Sequence, residues 1–156
     1  MPRAALAPAA VDAPEPGADR FAPLRAWLAA QGHAPFAFQQ EVWSAYARGE
    51  SGLIHAPTGM GKTWAAWLGP LALGPEGAED APPPLAVVWI TPLRALASDT
   101  GLALARAAQA LKPHWTVDVR TGDTPGSART RQDRRLPTAL VTTPESLTLM
   151  LSRADW

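Results

Sequence analysis

Residues 56–63 read Ala-Pro-Thr-Gly-Met-Gly-Lys-Thr, a set of residue types suited to holding a polyphosphate. A β- or γ-phosphate needs several donors converging on one point. Successive backbone N–H groups of such a loop supply them, and a helix that follows adds its positive end. Gly59 and Gly61 let the chain curl against the phosphates without a Cβ, while Thr58 and Met60 complete the loop. Lys62 brings a mobile charge to the β/γ oxygens, and the Thr63 hydroxyl is a ligand for Mg²⁺. This is the P-loop pattern with alanine in place of its usual first glycine. The chain has only two lysines against twelve arginines, and one of the two stands here. Arginine replaces lysine freely on a surface, whereas the interior of such a loop accepts a compact ammonium.

Gln39 lies about twenty residues upstream, beside Phe36 and Phe38. A glutamine amide presents a donor and an acceptor side by side, which matches adenine N7 and its N6 amine and not the two acceptors of guanine. A surface glutamine on a helix is the competing reading. Together the two sites point to ATP with Mg²⁺.

The elements that must position these residues follow from hydrophobic period and from turn residues. Residues 1–19, rich in Ala and Pro, read as a disordered lead-in, and residues 20–156 as one domain. Phe21, Leu24, Trp27 and Leu28 recur with helical spacing up to Gly32. A second helix at about 37–48 gathers Phe38, Val42, Trp43 and Tyr46, and Gly49 closes it. Residues 52–56 are short and apolar, as a buried strand would be, and a helix over 62–73 follows the loop. Residues 74–84 read as a surface loop. Residues 85–91, LAVVWIT, form the clearest strand; an unbroken apolar run suits a parallel strand covered on both faces. Pro92 is expected in the first turn of a helix that runs to about Leu111. Strands at 115–120 and 138–142 flank a polar helix at 126–135, and Pro144 opens a last helix to Leu151. The alternation predicts an α/β domain with a mostly parallel sheet and right-handed crossovers. Ligands of such sheets sit beyond the carboxyl ends of the strands, where the loops 56–63, 91–94, 121–124 and 142–146 all fall.

Composition sets the outer bounds. At 156 residues and 47% hydrophobic, the chain is long enough to bury one core. With no cysteine it has neither a disulfide framework nor a thiolate metal site. No apolar run approaches a membrane span, and no signal peptide is apparent, so a cytoplasmic protein is expected. Net charge is zero, but residues 84–156 hold nine of the fourteen Lys/Arg, which makes the second half mildly basic. Arg129, Arg131, Arg134 and Arg135 are the densest basic cluster. Arg131, Arg134 and Arg135 share a helical face, Asp133 can offset Arg129 at i, i+4, and a solvated basic helix is the plainer reading. Trp27, Trp43, Trp64, Trp67 and Trp89 fall in core elements and are expected to pack. His55 is expected to be a satisfied core histidine.

Four stretches resemble superfamily 2 helicases, and more narrowly the large helicase-related family in its ligase-associated bacterial branch. They are PFAFQQEVW (35–43), IHAPTGMGKTWAAWLGPL (54–71), WITPLRALASDT (89–100) and RTGDTPGSARTRQDRRLPTALVTTPESLTLMLSR (120–153). The resemblance implies a partial RecA-like domain. It implies that Gln39 is the adenine-reading glutamine and that residues 58–63 are the nucleotide loop. Thr91, Pro92 and Arg94, then Thr121, Gly122 and Asp123, and then Thr143, Pro144 and Glu145 match the motifs that contact the tracked strand. Single-stranded nucleic acid, DNA by preference, is the implied partner, with DNA-repair proteins such as a ligase beside it. Hydroxyls, arginines and helix N-termini suit that role, because they grip phosphates without reading sequence.

In the family a strand ending in Asp-Glu-x-His follows about twenty residues beyond Trp156, and no acidic pair downstream of the loop could stand in for it. The chain therefore reads as truncated before the residues that anchor Mg²⁺ and activate water, and as inactive in hydrolysis by itself. Two other classes compete: a P-loop kinase of small molecules, which leaves the later strand-end motifs unexplained, and a non-catalytic nucleotide-binding fragment.

Overall fold

A computed structural model describes residues 19–78 and 81–152. Nearly all of the expected lead-in, along with Arg153–Trp156, lies outside the described residues. Six helices and three strands are found among those described: α1 (Ala22–Ala30), α2 (Ala37–Ala47), α3 (Lys62–Leu73), β1 (Val87–Ile90), α4 (Arg94–Leu111), β2 (Val117–Arg120), α5 (Gly126–Arg134), β3 (Ala139–Thr142) and α6 (Pro144–Leu151).

The expected helix stops hold. After α1 the N–H of His33 reaches Leu28 O at 3.0 Å and that of Gly32 reaches Ala29 O at 2.9 Å. After α2 the N–H of Glu50 reaches Ala45 O at 3.0 Å and that of Gly49 reaches Tyr46 O at 2.9 Å. Both are the paired closure in which a left-handed residue satisfies the last carbonyls, and Gly32 and Gly49 have φ of +77° and +74°.

The three strands are parallel in the order β1-β3-β2. Their register sets Ile90 and Arg120 on either side of Thr142, so the carboxyl ends finish level. Alternation divides the sheet. Val87, Trp89, Val117, Val119, Ala139 and Val141 meet α1, α3 and α4 in one core, around buried Leu24, Trp43, Trp67, Leu68, Leu71 and Leu104. On the opposite face Leu140 and Thr142 of the central strand are buried, whereas Val88 and Ile90 of edge strand β1 remain exposed. Trp43 and Trp67 are fully buried, and Trp27, Trp64 and Trp89 pack against the core half-buried, as expected of them. Among the described residues no helix is long and apolar enough to cross a membrane.

Five expectations need correction, the first being the cover on both faces expected for residues 85–91: β1 is an edge strand and its Val88 and Ile90 are exposed. Residues 52–56 form no strand: Leu53 is 92% exposed and His55 is exposed rather than a core residue. A strand exists only where a neighbour completes its ladder, and no described strand lies beside this segment. Pro92 stands outside α4, since Leu93 is its N-cap and Arg94 its first residue. The second strand begins at Val117, not at Trp115, which turns into the core. There its Nε1 donates to Pro75 O at 2.9 Å and its ring meets Trp67 edge-on at 5.9 Å. The loop after α3 is accordingly the seat of a tryptophan as well as a surface connection. A Cβ on Gly74 would come within 2.3 Å of that ring.

Candidate nucleotide site and nucleic-acid edge

Residues 56–63 lead straight into α3. Gly59 and Gly61 have φ of +85° and +77°, which only glycine adopts without strain. Gly61 is also the N-cap, and no side chain caps the helix. The first-turn N–H groups are therefore left for a ligand, as an anion site at a helix N-terminus requires. Lys62 folds back over the loop, its Nζ donating to Ala56 O at 2.6 Å and to Pro57 O at 2.8 Å. An ammonium has three N–H donors, so one remains. Thr58 is exposed, while Met60, Lys62 and Thr63 are half-buried. This arrangement fits a polyphosphate.

Gln39 is no surface residue; it is 3% exposed. Its Oε1 accepts from the N–H of Phe36 at 2.9 Å, closing the start of α2, and its Nε2 donates to Gly61 O at 3.0 Å. One side chain thus ties α2 to the glycine that begins α3. A Cβ on Gly61 would stand 2.6 Å from that Nε2, so the contact requires glycine there. One amide hydrogen and one oxygen lone pair remain after these bonds. Trp43 adds a second tie, its Nε1 donating to Trp64 O at 3.2 Å.

The other strand-end residues come together at the level carboxyl edge. Thr91 is buried at the end of β1, its hydroxyl without a partner among the described residues, while Pro92 beside it is exposed. Arg94 crosses to the loop after β2, donating Nη1 to Asp123 Oδ1 at 2.8 Å. That loop is closed by its own side chains: the N–H of Thr121 donates to Thr124 Oγ1 at 2.9 Å, and the N–H of Asp123 to Thr121 Oγ1 at 3.3 Å. At β3, Thr142 Oγ1 donates to Arg120 O at 2.7 Å, binding the two strand ends together. Thr143 caps α6, its Oγ1 accepting from the N–H of Ser146 at 3.4 Å, with Pro144 and the exposed Glu145 in the first turn. No hydrogen bond among the described residues joins residues 56–63 to this edge.

Arg131, Arg134 and Arg135 are all exposed, as a solvated basic face requires, whereas Arg129 is half-buried. Asp133 pairs with Arg120 at 2.5 Å, where it was expected to offset Arg129. Arg120 is buried and lies thirteen residues back in sequence, across a packed interface that outweighs the local i, i+4 pairing. Arg129 instead donates Nη2 to Gly122 O at 2.5 Å and to Thr121 O at 3.4 Å. Arg131 pairs with Asp118 at 3.0 Å, and Arg135 donates to Pro82 O at 2.8 Å. Sequence reasoning missed Arg120 and Arg129 as site residues. They line a cavity of about 60 Å³ with Thr121, Gly122, Ser146 and Met150, directly beneath the edge.

A family model describing DEAD/DEAH box helicases matches residues 36–156. The chain is 39% identical over 152 residues to the Lhr helicase/probable uracil glycosylase of Mycolicibacterium smegmatis, covering 88% of this chain and 10% of that protein. It is 37% identical over 161 residues to the Lhr helicase/uracil glycosylase of Escherichia coli, covering 90% of this chain and 10% of that protein. It thus spans about a tenth of the length of these relatives. The solved structure of Mycobacterium smegmatis helicase Lhr bound to ssDNA and AMP-PNP superposes with a TM-score of 0.72 at 35% identity, over 88% of this chain and 19% of that one. The parallel sheet is therefore that of a RecA-like helicase domain, and the chain belongs to the DEAD/DEAH box helicase family.

Proposed function

We propose that residues 20–156 form the ATP-binding and strand-contacting part of the first RecA-like lobe of an Lhr-type helicase that acts on single-stranded DNA. The observation that carries this reading is the level carboxyl edge: Thr91, Arg94, the 121–124 loop and the N-terminus of α6 end in one register, on the same polypeptide as a phosphate loop opening α3. Pro92, Arg94, Gly122 and Pro144 form the exposed strand-facing surface, backed by buried Thr91, Thr121 and Thr143, and grip along it is expected to be independent of sequence. ATP sits at residues 58–63, and Mg²⁺ bound at Thr63 would neutralise phosphate charge. The solved relative holding ssDNA and AMP-PNP supports DNA and an adenine nucleotide. DNA repair, with a ligase among the partners, is the process that the family resemblance favours.

The open hydrogen and lone pair of Gln39 match the edge of adenine. Gln39→Ala is expected to weaken ATP binding about tenfold more than GTP binding, the low end of what a bidentate base contact contributes. Nucleotide dissociation constants measured by calorimetry check this. Equal losses would leave Gln39 as a prop of the loop alone, since its bond to Gly61 serves both nucleotides equally.

Hydrolysis asks for more than a cradle: a metal-anchoring acid, an oriented water and an arginine commonly worth ~10³–10⁵-fold in rate. The chain by itself is therefore expected to release no phosphate from ATP above the Lys62→Ala background, with or without DNA. DNA-stimulated turnover that this substitution removes would show that a residue here supplies the missing acid.

A further inference from the structure

Arg94 and Asp123 stand 29 residues apart and meet only because the strand ends are level. Their bond is 2.8 Å long, yet the two side chains stay 63% and 68% exposed. The guanidinium lies over Gly122, where a Cβ would stand 3.1 Å from its Cζ. The loop is held in place by bonds of its own and from α5, among them Thr121 to Thr124, Asp123 to Thr121, and Arg129 to Gly122. Among the described residues, Arg94 at the start of α4 makes the side-chain bond that reaches this loop from the β1 side. In this pair Asp123 is the fixed member and the long arginine side chain the movable one.

A carboxylate only accepts hydrogen bonds, and so does a phosphodiester. Asp123 therefore cannot hold a backbone phosphate, although it lies among residues suited to doing so. The two anions are instead alternative partners for one guanidinium fork. We infer that Asp123 is an internal competitor for the nucleic-acid strand: its carboxylate occupies Arg94 when no strand is present and is displaced by a backbone phosphate. This rests on the reading of Arg94 as a strand contact. An exposed ion pair is weak enough to exchange readily, but Arg94 must give up Asp123 before it can hold a phosphate. The consequence is a softened grip at one step of the edge, as a protein that must release each phosphate in turn requires.

The test is fluorescence anisotropy of a labelled single-stranded oligothymidylate with the full chain at low ionic strength. Arg94→Ala is expected to weaken binding. Asp123→Asn, which keeps an acceptor for Arg94 and removes the charge, is expected to tighten it about threefold to fivefold, the scale of an exposed charge pair. Its salt dependence should steepen by up to about 0.7 in log–log slope, one further effective phosphate contact on a single strand. In an Arg94→Ala background the same substitution should give no gain, because the competition runs through Arg94. Asp123→Ala, lacking the acceptor as well, should tighten binding at least as much. Unchanged or weaker binding by Asp123→Asn, with Arg94→Ala still impaired, overturns the competitor and leaves the strand contact standing. An equal gain in the Arg94→Ala background also overturns it, as a general charge effect. No loss in Arg94→Ala removes the strand-contact reading itself.

Discussion

Replacing Lys62 with alanine is expected to lower affinity for ATP by about 10- to 100-fold, the loss of a hydrogen bond to a charged group. The donors of the loop converge at the start of α3, and Lys62 supplies the full charge among residues 56–63. Its Nζ now holds two loop carbonyls, Ala56 O and Pro57 O, so the substitution also loosens the loop that presents the backbone donors. Lys62→Arg is expected to fall nearly as far, because a planar fork does not reproduce a compact ammonium between two carbonyls. Titration calorimetry with AMP-PNP and Mg²⁺ measures both. Affinity retained in Lys62→Ala would move the phosphates elsewhere.

The second large effect concerns stability. Trp43→Ala is expected to destabilise the fold by about 3–5 kcal/mol, the range for deleting a large buried aromatic side chain. Trp43 is fully buried, stands 5.9 Å from Phe21 between ring centroids, and bonds to the backbone of α3 through Trp64 O. A Cβ on Gly69 would lie 3.6 Å from Trp43, so α2 and α3 approach closely at this point and cannot collapse far into the gap. Urea unfolding followed by far-UV circular dichroism gives the number. A loss under 1 kcal/mol would mean that α2 is not fastened to the helix that carries the nucleotide loop.

Much of this was legible from the sequence, and the parts that were share a cause. The helices are fixed by local period and by left-handed stops at Gly32 and Gly49, so their bounds shift by only a residue or two. The phosphate loop follows from residue type and from the helix after it, and the three later clusters from residue type and position after a strand. What stayed hidden depends on which distant groups meet. Residues 52–56 have the composition of a buried strand, but a ladder needs a neighbour, and composition does not report one. Asp133 had Arg129 four residues away and took Arg120 at the end of β2 instead. Gln39 reads in the sequence as an adenine reader or a surface residue; its bond to Gly61, 22 residues on, is visible only once α2 lies against α3. Trp115 read as the start of a strand because it opens an alternating run, and the carbonyl of Pro75 draws it inward.

The central claim is that the nucleotide binds at the loop that opens α3 and the nucleic-acid strand along the level carboxyl ends of β1, β3 and β2. Amide hydrogen exchange of the full chain tests it directly. Added Mg²⁺ and AMP-PNP should protect residues 57–63 and the start of α2, and Lys62→Ala should abolish that protection. A single-stranded oligonucleotide should protect residues 91–94, 121–124 and 143–146, and leave the segments that enter the strands, 82–86 and 136–138, exchanging as before. Protection confined to the entering segments, or nucleotide protection of residues 57–63 that survives Lys62→Ala, would contradict the placement of both sites.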